Sequence, residues 1–290
     1  MNRQRALEWE ERWALPAAIS AFAAAVLYVS STVAAQSGVV GAASNTEFLR
    51  DYDAERGIML VAALCNAFAM LFFAFALYYL FQAVAARSPG VRRGLVGVVV
   101  AGPIFLGLSN ILQFIALSAA ASDFATPGGG TGVPIGEYAA DLIQDQAVYG
   151  FAQGLYLAGV LGAVFGIIYT ALWAMRVGLV TRFFGTFGMA LGASLILLAQ
   201  AFSLLALMLW GVWLGLIYLD RVPRGRPPAW DAGEARPWPK PGEQPEPERE
   251  DDEAVEGEAA ELFSNGAETA ENPHAARRER AKKRKRKRRT

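Results

Sequence analysis

Five stretches of this chain contain no aspartate, glutamate, lysine or arginine: Ala14 to Thr46, Gly57 to Ala86, Gly94 to Ser122, Gln146 to Met175 and Phe183 to Leu219. Each is longer than the roughly 20 apolar residues with which a helix crosses a bilayer. Charged residues make up 19% of the chain and hydrophobic ones 54%, with a mean hydropathy of +0.27. Aqueous domains average about 25% charged residues, and here the deficit is confined to the five runs. The expected fold is an all-α, polytopic membrane helix bundle.

The first four runs predict spans at about 15–35, 57–81, 95–121 and 148–175. The last run, Phe183 to Leu219, is 37 residues long. As one helix it would measure about 55 Å, against a hydrocarbon core of about 30 Å, and tilt alone does not absorb that difference. Two short spans, 183–201 and 204–222, with a tight turn near Gln200 to Ser203, fit better. Arginine placement tests this count. With six spans and both termini on one side, Arg3, Arg5, Arg12, Arg87, Arg92, Arg93, Arg176, Arg182, Arg221, Arg224 and Arg226 share that side, and only Arg50 and Arg56 oppose them. The positive-inside bias then makes the common side cytoplasmic. A five-span chain would export the arginine-rich exit. The membrane domain is accordingly set at 1–222.

Local signals mark the connections. Trp9 and Trp13 lie on one helical face, as interfacial aromatics do. The acidic flank of Glu8, Glu10 and Glu11 argues for a retained anchor helix over a cleaved leader. Ser44 to Glu47 has capping-box spacing, so a helix should begin there and run through Arg50, Asp51 and Arg56 into the membrane near Gly57. Pro103 predicts a kink or a loosened ladder in the third span. Five glycines and two prolines between Thr126 and Gly136 mark a loop. Glu137, Asp141 and Asp145 then form one helical stripe, read as a solvated face because such carboxylates make a poor cation cage.

Little catalytic chemistry is available. The only histidine, His274, lies far from the apolar runs, and the only cysteine, Cys65, sits inside the second. Histidine-based zinc sites and Ser–His or Cys–His nucleophile pairs are therefore excluded from the membrane. None of the six expected spans carries a formal charge before its end, where Asp220 and Arg221 close the sixth. The chain is expected not to be an enzyme and to need no cofactor or metal. Uncharged polar residues remain, and Asn110, Gln113 and Gln153 form the candidate polar intramembrane face. Asn110 and Gln113 could share an inward face beside the Pro103 kink, either lining a solute path or bonding neighbouring helices. Gly162–Gly166, Gly188–Gly192 and Gly211–Gly215 have the small-residue spacing of close helix contacts, within the chain or between copies in a homo-oligomer.

Beyond the last span, 223–242 is a linker rich in proline, with Trp230 and Trp238 between the prolines. An extended, surface-hugging segment is expected there. The remainder, 243–290, should be disordered. It divides by charge: Glu243 to Glu271 carries a net −11, and Asn272 to Thr290 a net +10. Its end holds eight consecutive bases, Lys282, Lys283, Arg284, Lys285, Arg286, Lys287, Arg288 and Arg289. Such a run is attracted to anionic lipid headgroups, or nonspecifically to RNA. Folding back on the acidic block would screen it.

Several local patterns carry a resemblance: the Leu7-Glu-Trp-Glu start, Leu77-Tyr-Tyr-Leu-Phe81 before a basic loop, Thr170-Ala-Leu-Trp-Ala-Met-Arg176, Thr181 to Gly192, and Arg226-Pro-Pro-Ala-Trp230. Over roughly Leu7 to Gly242 the chain resembles a domain-of-unknown-function family of six-helix bacterial integral membrane proteins. The resemblance implies six helices and the bacterial inner membrane, and it brings no activity and no functional residues; the arginine count is what makes both termini cytoplasmic. The function expected is that of a structural or scaffold membrane protein with an electrostatic tail. The alternative is a small-solute transporter or channel that uses the uncharged polar residues.

Overall fold

The computed structural model describes residues 3–39, 42–126, 135–197, 200–223 and 225–238. The tail at 243–290, with Lys282 to Arg289, lies outside them. Among the described residues every regular element is helical. Four helices are long and apolar enough to cross a membrane: α1 (Arg3–Val39), α3 (Arg56–Arg87), α4 (Val96–Ala125) and α6 (Ala147–Arg176). This fits a multi-pass membrane protein. Between them stand the short helices α2 (Asn45–Ala54) and α5 (Ile135–Gln144). The final apolar run forms two shorter helices, α7 (Arg182–Leu197) and α8 (Gln200–Tyr218). A single turn, α9 (Ala229–Ala232), follows.

α7 ends at Leu197 and α8 begins at Gln200, so Gln200 to Ser203, expected as the turn, is helical. The two helices fold back on each other. The Ser203 hydroxyl donates to Ser194 O at 3.0 Å, and Trp210 Nε1 donates to Phe184 O at 3.2 Å. The helix expected to run unbroken from Ser44 into the membrane is also interrupted. It starts as expected, with Ser44 Oγ accepting from Glu47 N, but it stops at Ala54, and Glu55 (φ −107°, ψ 23°) separates it from α3. α4 passes through Pro103 as one continuous helix.

In packing order, α1 lies on α3 and α8, α3 on α4, α4 on α6, α6 on α7, and α7 on α8, so the helices close into a ring. Small residues set the distances. A methyl group on Gly102 of α4 would stand 2.3 Å from Ala163 N of α6, so only glycine permits that approach. All six glycines singled out by spacing face another helix of the same chain; Gly162 meets Gly102, and Gly188 meets Trp210. Outward faces carry exposed Val61, Phe68, Phe151 and Leu157, as suits contact with lipid. The main core runs the length of the ring. A satellite core of Leu49, Tyr52, Met59, Ala120, Ala121 and Ala139 joins α2 and α5 to one end of it.

Candidate functional site

At the opposite end, the segment after α8 turns back over the bundle. Within the linker expected to be extended and surface-hugging, the turn around Trp230 is instead packed in, with Trp230 about 1% exposed and Ala229 fully buried, while Glu234 to Pro237 lie exposed. Its contacts explain why. Trp230 Nε1 donates to Leu179 O at 2.9 Å, Trp238 Nε1 donates to Val180 O at 2.9 Å, and Arg236 N donates to Val177 O at 3.1 Å. All three acceptors belong to the turn between α6 and α7, whose carbonyls have no helical partner. Gly178 makes that turn possible: its φ is +83°, and a side chain there would collide with Arg236 O.

Beneath this strap lies a buried ion pair. Arg87, in the last turn of α3, binds both carboxylate oxygens of Glu10 in α1, through Nη1 to Oε1 and through Nη2 to Oε2 at 2.8 Å. The remaining donors are also used: Nε reaches Ala229 O at 2.8 Å, Nη1 reaches Ala83 O at 2.9 Å, and Nη2 reaches Trp230 O at 3.2 Å. One guanidinium thus joins α1, α3 and the strap. Trp9, Tyr79 and Trp230 form a row of stacked rings beside it, at 5.4 and 5.9 Å between successive centroids. Arg226 lies 4.5 Å above the Trp230 ring. Neither Glu10 nor Arg87 stands out in the sequence, because each lies beyond the end of an apolar run and reads as a loop charge. Helical registration carries both inside.

The second feature is a cavity of about 360 Å³ near the α2 end, walled by α1, α2, α3 and α4. Asn110 and Gln113, both expected on a shared face, line it together with Asn66, Ser31 and Thr32. Gln153 does not; it is exposed on α6. Asn110 Nδ2 donates to Leu106 O within its own helix at 2.8 Å, Ser31 Oγ donates to Ala62 O at 2.8 Å, and Thr32 Oγ1 donates to Tyr28 O at 3.0 Å. Asn66 Oδ1 is buried and, among the described residues, has no hydrogen-bond partner. Tyr52, on α2 outside the spans, closes one side, and burial pushes its hydroxyl up to about 12 against the pull of Arg56. It therefore stays protonated at neutral pH.

Other sequence candidates behave as ordinary surface. Glu137, Asp141 and Asp145 are exposed, and among the described residues no group of acidic, histidine or cysteine side chains could hold a metal ion. A larger hollow of about 460 Å³ lies between Phe183, Phe187, Trp213 and Pro223, walled almost wholly by apolar groups. Comparison with protein-family models, with curated proteins and with solved structures finds no match to this chain.

Proposed function

We propose that the chain is a structural membrane protein, a six-span anchor that fixes a charged tail at the cytoplasmic face of a bacterial inner membrane. The observation that carries this reading is the Arg87 site, where one buried guanidinium binds Glu10 and two carbonyls of the strap. A chain that only needed to leave the membrane after α8 has no use for an exit locked to α1 and α3. Such a lock does define where the following residues emerge. The reading is non-catalytic, and the basic run Lys282 to Arg289 is its working part, held by anionic headgroups with about 1 kcal/mol per base near the surface. The acidic block before it weakens that hold.

The test uses the full chain in lipid vesicles with tails facing outward. Trypsin cleavage within 277–289 should be several-fold slower on vesicles containing anionic lipid than on neutral ones at low salt, and the difference should vanish at high salt. Deleting 244–271 should extend the protection to higher salt. Cleavage rates independent of headgroup charge would overturn the tether. RNA that protects the tail better than anionic vesicles do would reassign its partner.

A further inference from the structure

The cavity near α2 has a chemical character of its own, independent of the strap and the tail. Its thirteen lining residues include no aspartate, glutamate, lysine or arginine, yet four carry side-chain amides: Gln36 on α1, and Asn66, Asn110 and Gln113, which converge from α3 and α4. Asn66 Oδ1 is buried without a partner; Gln113 is half-buried and, among the described residues, makes no hydrogen bond. A buried amide without a partner costs a few kcal/mol, and more in a hydrocarbon setting. Leucine at position 66 would avoid that cost, as it does on the outward faces. Something polar therefore completes Asn66 Oδ1, with the Gln113 amide lining the same cavity.

Size and walls narrow its identity. The volume, about 360 Å³, is that of a small-molecule site and far exceeds the space of one water. The walls pair amides, which donate and accept, with two aromatic rings, Tyr52 and Phe114, whose centroids lie 6.3 Å apart. Hydroxyls of Ser31 and Thr32 donate to backbone carbonyls and keep lone pairs free to accept. No lining residue offers an ion a counter-charge, and Arg56, the cation that acts on Tyr52, spends its Nη2 on Ser118 O and Ser122 Oγ. A polyol meets the site on both counts, with hydroxyls for the amides and C–H faces for the rings.

We infer that this cavity is a binding site for a small neutral polyhydroxylated compound, a polyol or monosaccharide, entering from the end of the bundle opposite the strap. Asn66, Asn110 and Gln113 are its hydrogen-bonding set, and Tyr52 with Phe114 its apolar wall.

The test is equilibrium binding of radiolabelled glycerol, myo-inositol and glucose to the purified full chain, with glutamate and choline as charged comparators. At least one polyol should bind saturably, and neither charged compound should. Asn66→Leu and Gln113→Leu should each weaken binding by about tenfold or more, the effect of one lost hydrogen bond to a satisfied ligand. Gln153→Leu, on the exposed face of α6, should leave it unchanged. Folding is checked by the same variants without ligand: Asn66→Leu should melt at or above the temperature of the parent chain, because it removes an unsatisfied group. Absence of saturable binding by all three polyols below about 10 mM would overturn the assignment. So would binding that survives both amide substitutions, or a charged compound that binds more tightly than any polyol.

Discussion

At the scale of single residues, Glu10 and Arg87 are the most constrained pair in the molecule. Both side chains are almost fully buried, at 4% and 0% exposure, and each depends on the other for its charge. Removing one partner strands a buried ion, which costs about 3–5 kcal/mol, whereas replacing both with apolar residues of similar volume is often close to neutral. Glu10→Leu and Arg87→Met should therefore each lower the melting temperature of the detergent-solubilised protein by several degrees. The double variant should melt above either single one. Additive losses would show that the two charges are stabilised separately. Arg87 also holds two strap carbonyls, so Arg87→Met, unlike Glu10→Leu, should expose the strap to added protease. The sequence hides this pair for a physical reason: a charge just beyond an apolar run looks the same whether it points to water or turns inward. Only the partner, 77 positions away, distinguishes the two cases.

At the scale of elements, the apolar runs were legible because crossing a bilayer imposes a length and a composition that few other folds share. The capping signal at Ser44 was equally local, and it holds in the structure. Legibility ends where the deciding contact is remote. The linker displays prolines and two tryptophans, a pattern suited to an extended surface segment, but Trp230 is buried because Tyr79, Tyr218 and the Leu179 carbonyl happen to meet there. For the polar candidates, residue type was readable and helix rotation was not. Asn110 and Gln113 turn towards α3, while Gln153 turns away from the cavity. Asn66 joins them because α3 and α4 lie side by side. The glycine contacts show the same dependence and support a sharp prediction. Gly102 touches Ala163 and Gly162 so closely that Gly102→Leu must separate α4 from α6, the most extensive helix pairing in the bundle. That variant should lose several kcal/mol, beyond ordinary overpacking, because backbone rather than a side chain is in the way. Gly57→Leu, where nothing lies within 4 Å, should leave the melting temperature nearly unchanged. Equal effects at both sites would contradict the packing described.

At the scale of the whole membrane body, the ends of the helices limit how the chain can cross the bilayer. The start of α1 lies beside the strap, since Leu7 contacts Gly233 and Arg3 approaches Glu234 at 4.0 Å. The ends of α3, α6 and α8 and the start of α7 gather there too. The number of crossings between α1 and the strap is therefore even. Four crossings would leave α7 and α8 as a hairpin that enters and leaves on the strap side; six would carry their turn through to the other face. Helices of 16 and 19 residues span about 24 and 28 Å, close to a 30 Å hydrocarbon core, and a bilayer adapts to a mismatch of a few ångströms at modest cost. A re-entrant hairpin of that length would leave its apolar tip at the far headgroups, where a full crossing suits it better. Six crossings follow as our expectation. They are tested by single cysteines placed in a Cys65→Ala background and labelled with a membrane-impermeant maleimide. Thr131→Cys and Ala199→Cys should react from the same face, and Gly225→Cys only from the other. Either even count places Thr131 and Gly225 on opposite faces, so the decision rests on position 199. Labelling there from the Gly225 side alone, or from neither side, would reduce the count to four.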